Sequence, residues 1–136
     1  CAPEALEAAC EILETMPLLN DDLAQHGFPS IRLGIGLHTG EALVGHVGGE
    51  TRCEFTCMGA AVNMAARMEG LCKSLDAALV VSDPFLSHAT SAGQGHGSLG
   101  MEAVTGIEVR GFSGEAVVHC IRTHGVSWNT QLKESA

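Results

Sequence analysis

The sequence predicts an α+β domain with a partly antiparallel sheet. Three observations lead there. Residues 3–26 repeat apolar side chains at spacings of three and four, the period of a helix. Residues 31–38 and 52–58 alternate, the period of strands. An alanine-rich run at 60–70 interrupts the strands, and further short apolar runs follow it, so helices and strands are mixed without a regular βαβ repeat.

Each element has its own signals. In 3–26 the stripe is Leu6, Ala9, Cys10, Leu13, Met16, Leu19 and Leu23. Pro17 removes a backbone donor, which predicts a kink or break near Met16. Gly27 ends the helix, and Phe28, Pro29 and Ser30 make a turn. In 31–38, Ile31, Leu33, Ile35 and Leu37 face one way, and Arg32, Gly34, Gly36 and His38 the other. The second face lacks bulk, so a helix, a strand or a ligand must approach it closely. Residues 41–47 form a second short apolar segment, and 48–51 a loop. In 52–58, Cys53, Phe55 and Cys57 share a face opposite Glu54, Thr56 and Met58. A helix over 60–70 follows Gly59. Residues 77–82 read as a buried strand, and Asp83 with Pro84 opens a turn or short helix. Residues 89–98 read as a loop. Strands over 102–109 and 115–122 are joined by 111–114, and the polar tail frays.

The 136 residues suit one domain, and 46% hydrophobic against 17% charged residues make it globular. Sixteen acidic against seven basic residues give a net charge of −9, and the two lysines and five arginines are scattered. A nucleic-acid surface needs clustered cations, so that class is excluded. No run reaches the length of a membrane span. The chain starts at Cys1 with no initiator Met, which reads as a cut inside a longer protein. Its six cysteines lie in apolar patterns, so reduced, buried thiols are expected, and weakly a reducing compartment. Cys53 and Cys57, with His38 and His46, lack the usual zinc spacing, and strand alternation explains them better. Gly34, Gly36 and Gly40 lie within or beside a strand and do not open a helix, unlike a dinucleotide fingerprint. No Walker loop or Ser-His-Asp order occurs.

Asn63 and Arg67 are the sharpest functional candidates. Four residues apart on a helix, they share a face. An amide and a guanidinium side by side suit a phosphate or a pentavalent phosphorus centre, whose oxygens need bidentate, cationic donors. The competing reading is a surface face with Arg67 paired to Glu69 or Asp76. Thr56, at the end of a strand just before the Gly59 turn, lies close enough in sequence to read a base edge.

The runs 31–48 and 52–70 resemble the strand, turn and signature segment of class III adenylate/guanylate cyclases. Residues 109–112 and 116–122 resemble their closing strands. The resemblance implies a ferredoxin-like nucleotidyl cyclase fold, incomplete here because its N-terminal strands are missing. Residues 1–122 would be the C-terminal part of one catalytic domain, and 123–136 its tail. The implied reaction converts ATP to 3′,5′-cyclic AMP and pyrophosphate; a guanylate cyclase or a non-catalytic dimerisation module are the alternatives. Asn63 would orient the ribose and Arg67 would stabilise charge on phosphate. Thr56, with its neighbour Cys57, would bind the purine. Two divalent metal ions, Mg or Mn, are expected on ligands outside this segment, so the isolated segment is expected to be inactive. The implied partner is a second copy, with the site at the homodimer interface, or the missing part of the domain. The implied location is cytoplasmic. One departure stands out: Ala60 occupies a position that is usually Asp or Asn, which predicts a lost helix cap worth about 1 kcal/mol.

Overall fold

A computed structural model describes residues 2–49, 51–90, 100–109 and 115–122. Helix α1 spans Ala2–Gln25, strand β1 Ile35–Leu37, β2 Leu43–Gly49, β3 Arg52–Met58, helix α2 Ala60–Leu75, β4 Ala77–Ser82, α3 Asp83–Thr90, β5 Glu102–Glu108 and β6 Glu115–Arg122. The expected elements appear in order, and the apolar segment at 41–47 proves to be part of a further strand, β2. Of the expected loop at 89–98, residues 89 and 90 close α3; its remainder, the join at 111–114 and the tail from 123 lie outside the described residues.

Four strands form one sheet in the order β1-β4-β6-β5; β2 and β3 form a separate hairpin. β1 runs parallel to β4, while β4/β6 and β5/β6 are antiparallel. This is the mixed α+β sheet that the sequence predicts. β4 is buried at all six positions, because helices cover both of its faces. Val80 packs with Met68 and Cys72 of α2 and with Val118 and Cys120 of β6. Leu79 and Val81 pack with Leu6 and Ala9 of α1 and with Phe85, Leu86 and Ala89 of α3. A strand enclosed on both faces reads as a continuous apolar run, as Ala77–Ser82 does. Each of its larger side chains contributes about 1.5–3 kcal/mol by leaving water.

Bulges adjust the alternation. The register shifts between Ala77 and Leu79, which lets Ala77 join Val80 on the α2 side. A second shift separates Val104 from Ile107. Gly106 there has φ 74°, a conformation that costs glycine little.

The glycine face of the first strand is covered by α2. A Cβ on Gly36 would stand 2.2 Å from the backbone nitrogen of Glu69 and 2.4 Å from the carbonyl oxygen of Ala65. Only glycine lets the helix lie this close.

Four expectations are corrected. α1 runs unbroken through Pro17; Pro17 is exposed, so the carbonyl its ring leaves without a donor can meet water. The first strand is only three residues long. Ile31 is instead tied to α1: the Asn20 amide donates to the Ile31 carbonyl at 3.0 Å and accepts the Ile31 N–H at 2.7 Å. α2 extends past residue 70 to Leu75, whereas the short helix expected from Asp83 is present over Asp83–Thr90. Finally, Cys53 and Cys57 are exposed, whereas Cys72 and Cys120 are buried. The β2–β3 hairpin stands apart from the sheet, so Leu43, Val44, Phe55 and Met58 are exposed with them.

Candidate functional site

α2 begins directly from β3. Gly59 makes the turn with φ 147° and ψ 175° and offers no side-chain cap. The cap position therefore falls on Gly59, and Ala60 is the first helical residue, which shifts the expected defect by one position. The Asn63 N–H donates to the Gly59 carbonyl at 3.2 Å, closing the first turn. Met64, Met68, Leu71, Cys72 and Leu75 pack inward, which leaves Asn63 exposed and Arg67 half-buried.

Arg67 does not pair with Asp76. Asp76 lies 3.5 Å from the buried guanidinium of Arg32 instead. Among the described residues neither the Asn63 side chain nor the Arg67 guanidinium has a hydrogen bond or an ion pair. One helical turn thus carries an amide and a permanent cation, both available to a ligand.

Thr56 is the one half-buried position of β3. Its cross-strand partner is Gly45, which adds no bulk beside it. Cys57 follows it on the strand, pairs with Val44 and is exposed. Adjacent strand residues point to opposite faces, so Thr56 and Cys57 are not brought to one side.

The far end of α2 is tied to the sheet. Arg122 donates through one nitrogen to the Leu75 carbonyl and through two others to Glu102, at 2.8 and 3.2 Å. This arrangement holds the Glu102 carboxyl below its ordinary range. Asp76 adopts a left-handed conformation and returns its N–H to the Cys72 carbonyl.

Two histidines hold the junction of β4 and α3. His38 Nδ1 lies 2.7 Å from Ser82 Oγ, and His119 Nε2 lies 2.9 Å from Asp83 Oδ1. Sequence reading weighed His38 only as a zinc donor. Its place at the end of a glycine-faced strand was the available signal. No group of three or more His, Cys, Asp or Glu side chains among the described residues could hold a metal ion. The described donors therefore do not fit a metal pair. No described helix is long and apolar enough to cross a membrane.

Comparisons with known proteins agree with this architecture. The profile of the adenylate and guanylate cyclase catalytic domain matches residues 2–123. Adenylate cyclase 1 of Rhizobium meliloti is 36% identical over 81 residues, covering 60% of this chain and 12% of that protein. The adenylate cyclase of Anabaena cylindrica is 35% identical over 83 residues, covering 58% and 16%. The chain thus spans a small part of the length of these relatives. Among solved structures, the adenylyl cyclase CyaB from P. aeruginosa superposes with a TM-score of 0.69 at 21% identity, covering 93% of this chain and 61% of that one. The guanylyl cyclase Cya2 gives 0.68 at 24% identity, covering 88% and 57%. With the profile spanning every described strand and helix, the chain belongs to the adenylate and guanylate cyclase catalytic domain family.

Proposed function

We propose that this chain supplies the transition-state half of a nucleotidyl cyclase site that converts ATP to 3′,5′-cyclic AMP and pyrophosphate. The observation that carries this reading is the Asn63/Arg67 pair: one turn apart on α2, with no described protein partner, in a cyclase-family chain. In the reaction the ribose 3′ oxygen attacks the α-phosphorus, and the bond to the pyrophosphate oxygen breaks. Asn63 would hold the ribose so that this oxygen is aligned. The Arg67 guanidinium would donate to the phosphate oxygens on which charge builds, an interaction stronger in the transition state than in the ground state. Thr56 would meet the purine edge; its opposite-facing neighbour Cys57 is set aside. The metal-bearing half would come from a second copy or from another segment of the protein, on the cytoplasmic side.

The near-equal fold likeness to an adenylyl and a guanylyl cyclase leaves the base to Thr56. Assaying the complete protein with ATP and with GTP, in Mg and in Mn, tests the reading. Cyclic AMP is expected to dominate, and Thr56→Cys to shift the preference toward GTP. An ATP/GTP ratio unchanged by that substitution removes Thr56 from the base contact. The uncapped start of α2 favours one rival, a non-catalytic cyclase-homology module. Nucleotide binding without any cyclic product in either metal would decide for it.

A further inference from the structure

His38 joins two parts of the molecule. Ser82 Oγ, in a buried residue, accepts the Phe85 N–H at 3.3 Å. Its own hydrogen is then available for the His38 Nδ1 at 2.7 Å. The neutral ring with its proton on Nε2 satisfies both groups. Burial lowers the His38 pKa, which agrees with a neutral ring.

The other side of the ring meets the turn that leads into β2. A Cβ on Gly40 would stand 3.7 Å from His38 Nε2 and 3.0 Å from the Ala61 Cβ. The next residues press on the helix start: a Cβ on Gly59 would stand 3.2 Å from the Glu41 carbonyl oxygen and 3.3 Å from the Ala42 Cα. Gly59 in turn accepts the Asn63 N–H. Ser82, the His38 ring, Gly40 and Ala61 therefore lie in succession between β4 and the first turn of α2, with little room at Gly40 for anything larger than a hydrogen. That turn has no side-chain cap, and residues 41–42 lie close beside its Gly59.

We propose that His38 is a positioning residue for Asn63: anchored on Ser82, its ring seats the 39–42 turn against the start of α2 and so sets the angle at which Asn63 meets the ribose. This rests on the cyclase reading above.

The test compares wild type, His38→Leu, Ser82→Ala and His38→Asn in the complete protein. Two readouts are used: cyclic AMP formation from ATP with Mn, and amide hydrogen exchange of residues 63–66 against 68–75. His38→Leu and Ser82→Ala are each expected to lower kcat about tenfold with KM nearly unchanged, since small misplacements of an aligning group act on turnover. Both should speed exchange at 63–66 and leave 68–75 as it was. His38→Asn keeps an acceptor for the Ser82 hydroxyl but not the ring, and should stay impaired in both readouts. Unchanged exchange at 63–66 in the first two variants overturns the proposal. So does a His38→Asn protein as active as wild type, or exchange raised equally along the whole helix. If His38→Leu fails to fold, Ser82→Ala and His38→Asn decide alone. If wild type makes no cyclic nucleotide, the cyclase reading falls, and the exchange data still decide whether His38 seats the turn.

Discussion

The two ends of α2 are held by different means. At the C-terminal end, Arg122 bonds the Leu75 carbonyl, Asp76 returns its N–H to Cys72, and the Arg32 guanidinium stands beside the Asp76 carboxylate. At the N-terminal end, Gly59 has no side chain to offer, and residues 40–42 only lie close beside it. Asn63 belongs to the lightly held end and Arg67 to the middle. Polar anchors fix the helix at its C-terminal end. Packing alone guides it at the end that carries Asn63, and there a small adjustment can accompany binding of the proposed nucleotide.

The largest effect expected from testing this contrast is at the middle. Arg67→Ala should lower kcat by about 10²-fold or more while KM changes little; turnover equal to wild type would remove Arg67 from the reaction. Next comes the seat of the helix. Gly36→Ala places a methyl 2.2 Å from the Glu69 nitrogen, so α2 must lift off the sheet. A loss of about 1–3 kcal/mol, read from denaturant melts, is expected, and an unchanged melt would show that the helix does not lie on Gly36.

The anchored end has a pH signature. Burial, aided by Glu69 and Cys120, pushes the Cys72 thiol up from 9.0 to about 11. An unfolded chain ionises this thiol above pH 9, while the folded one keeps its proton. Stability from Cys72 is therefore complete below pH 9 and lost as pH rises toward 11. Melting temperatures should fall across that window, and Cys72→Ala should flatten the slope. Cys120, raised in the same direction, would keep part of it. The smallest effect lies at the open end. Ala60→Asp puts a carboxylate in the first turn of α2, where the helix dipole favours it by about 0.3–1 kcal/mol. A gain in melting temperature with no loss of turnover would show that the open end is a stability defect only.

Much of this was legible in the sequence because local patterns carried it. The empty face at Gly34 and Gly36 announced a close neighbour, and α2 fills it. The i,i+4 spacing announced that Asn63 and Arg67 share a side of the helix. What stayed hidden depends on contacts between distant residues. Alternation in 52–58 gives two faces of β3 but cannot say that both face solvent, since that depends on where the hairpin stands. Residues 31–34 alternate like a strand, yet the Asn20 amide takes the Ile31 backbone groups before a neighbour can. The His38–Ser82 contact spans two elements and has no sequence period to betray it.

The doubly enclosed strand β4 carries a consequence for how the chain folds. Leu79 pairs with Ile35 behind it and with Ile121 ahead of it. Neither neighbour is local, so closing this sheet requires two long excursions of the chain before the buried valines are rewarded. Folding should be slow for a domain of this size, and its commitment step should wait for β6. Until then the most apolar strand of the molecule is without one of its two edges, and a chain halted before that point exposes the segment most prone to pair with a stranger.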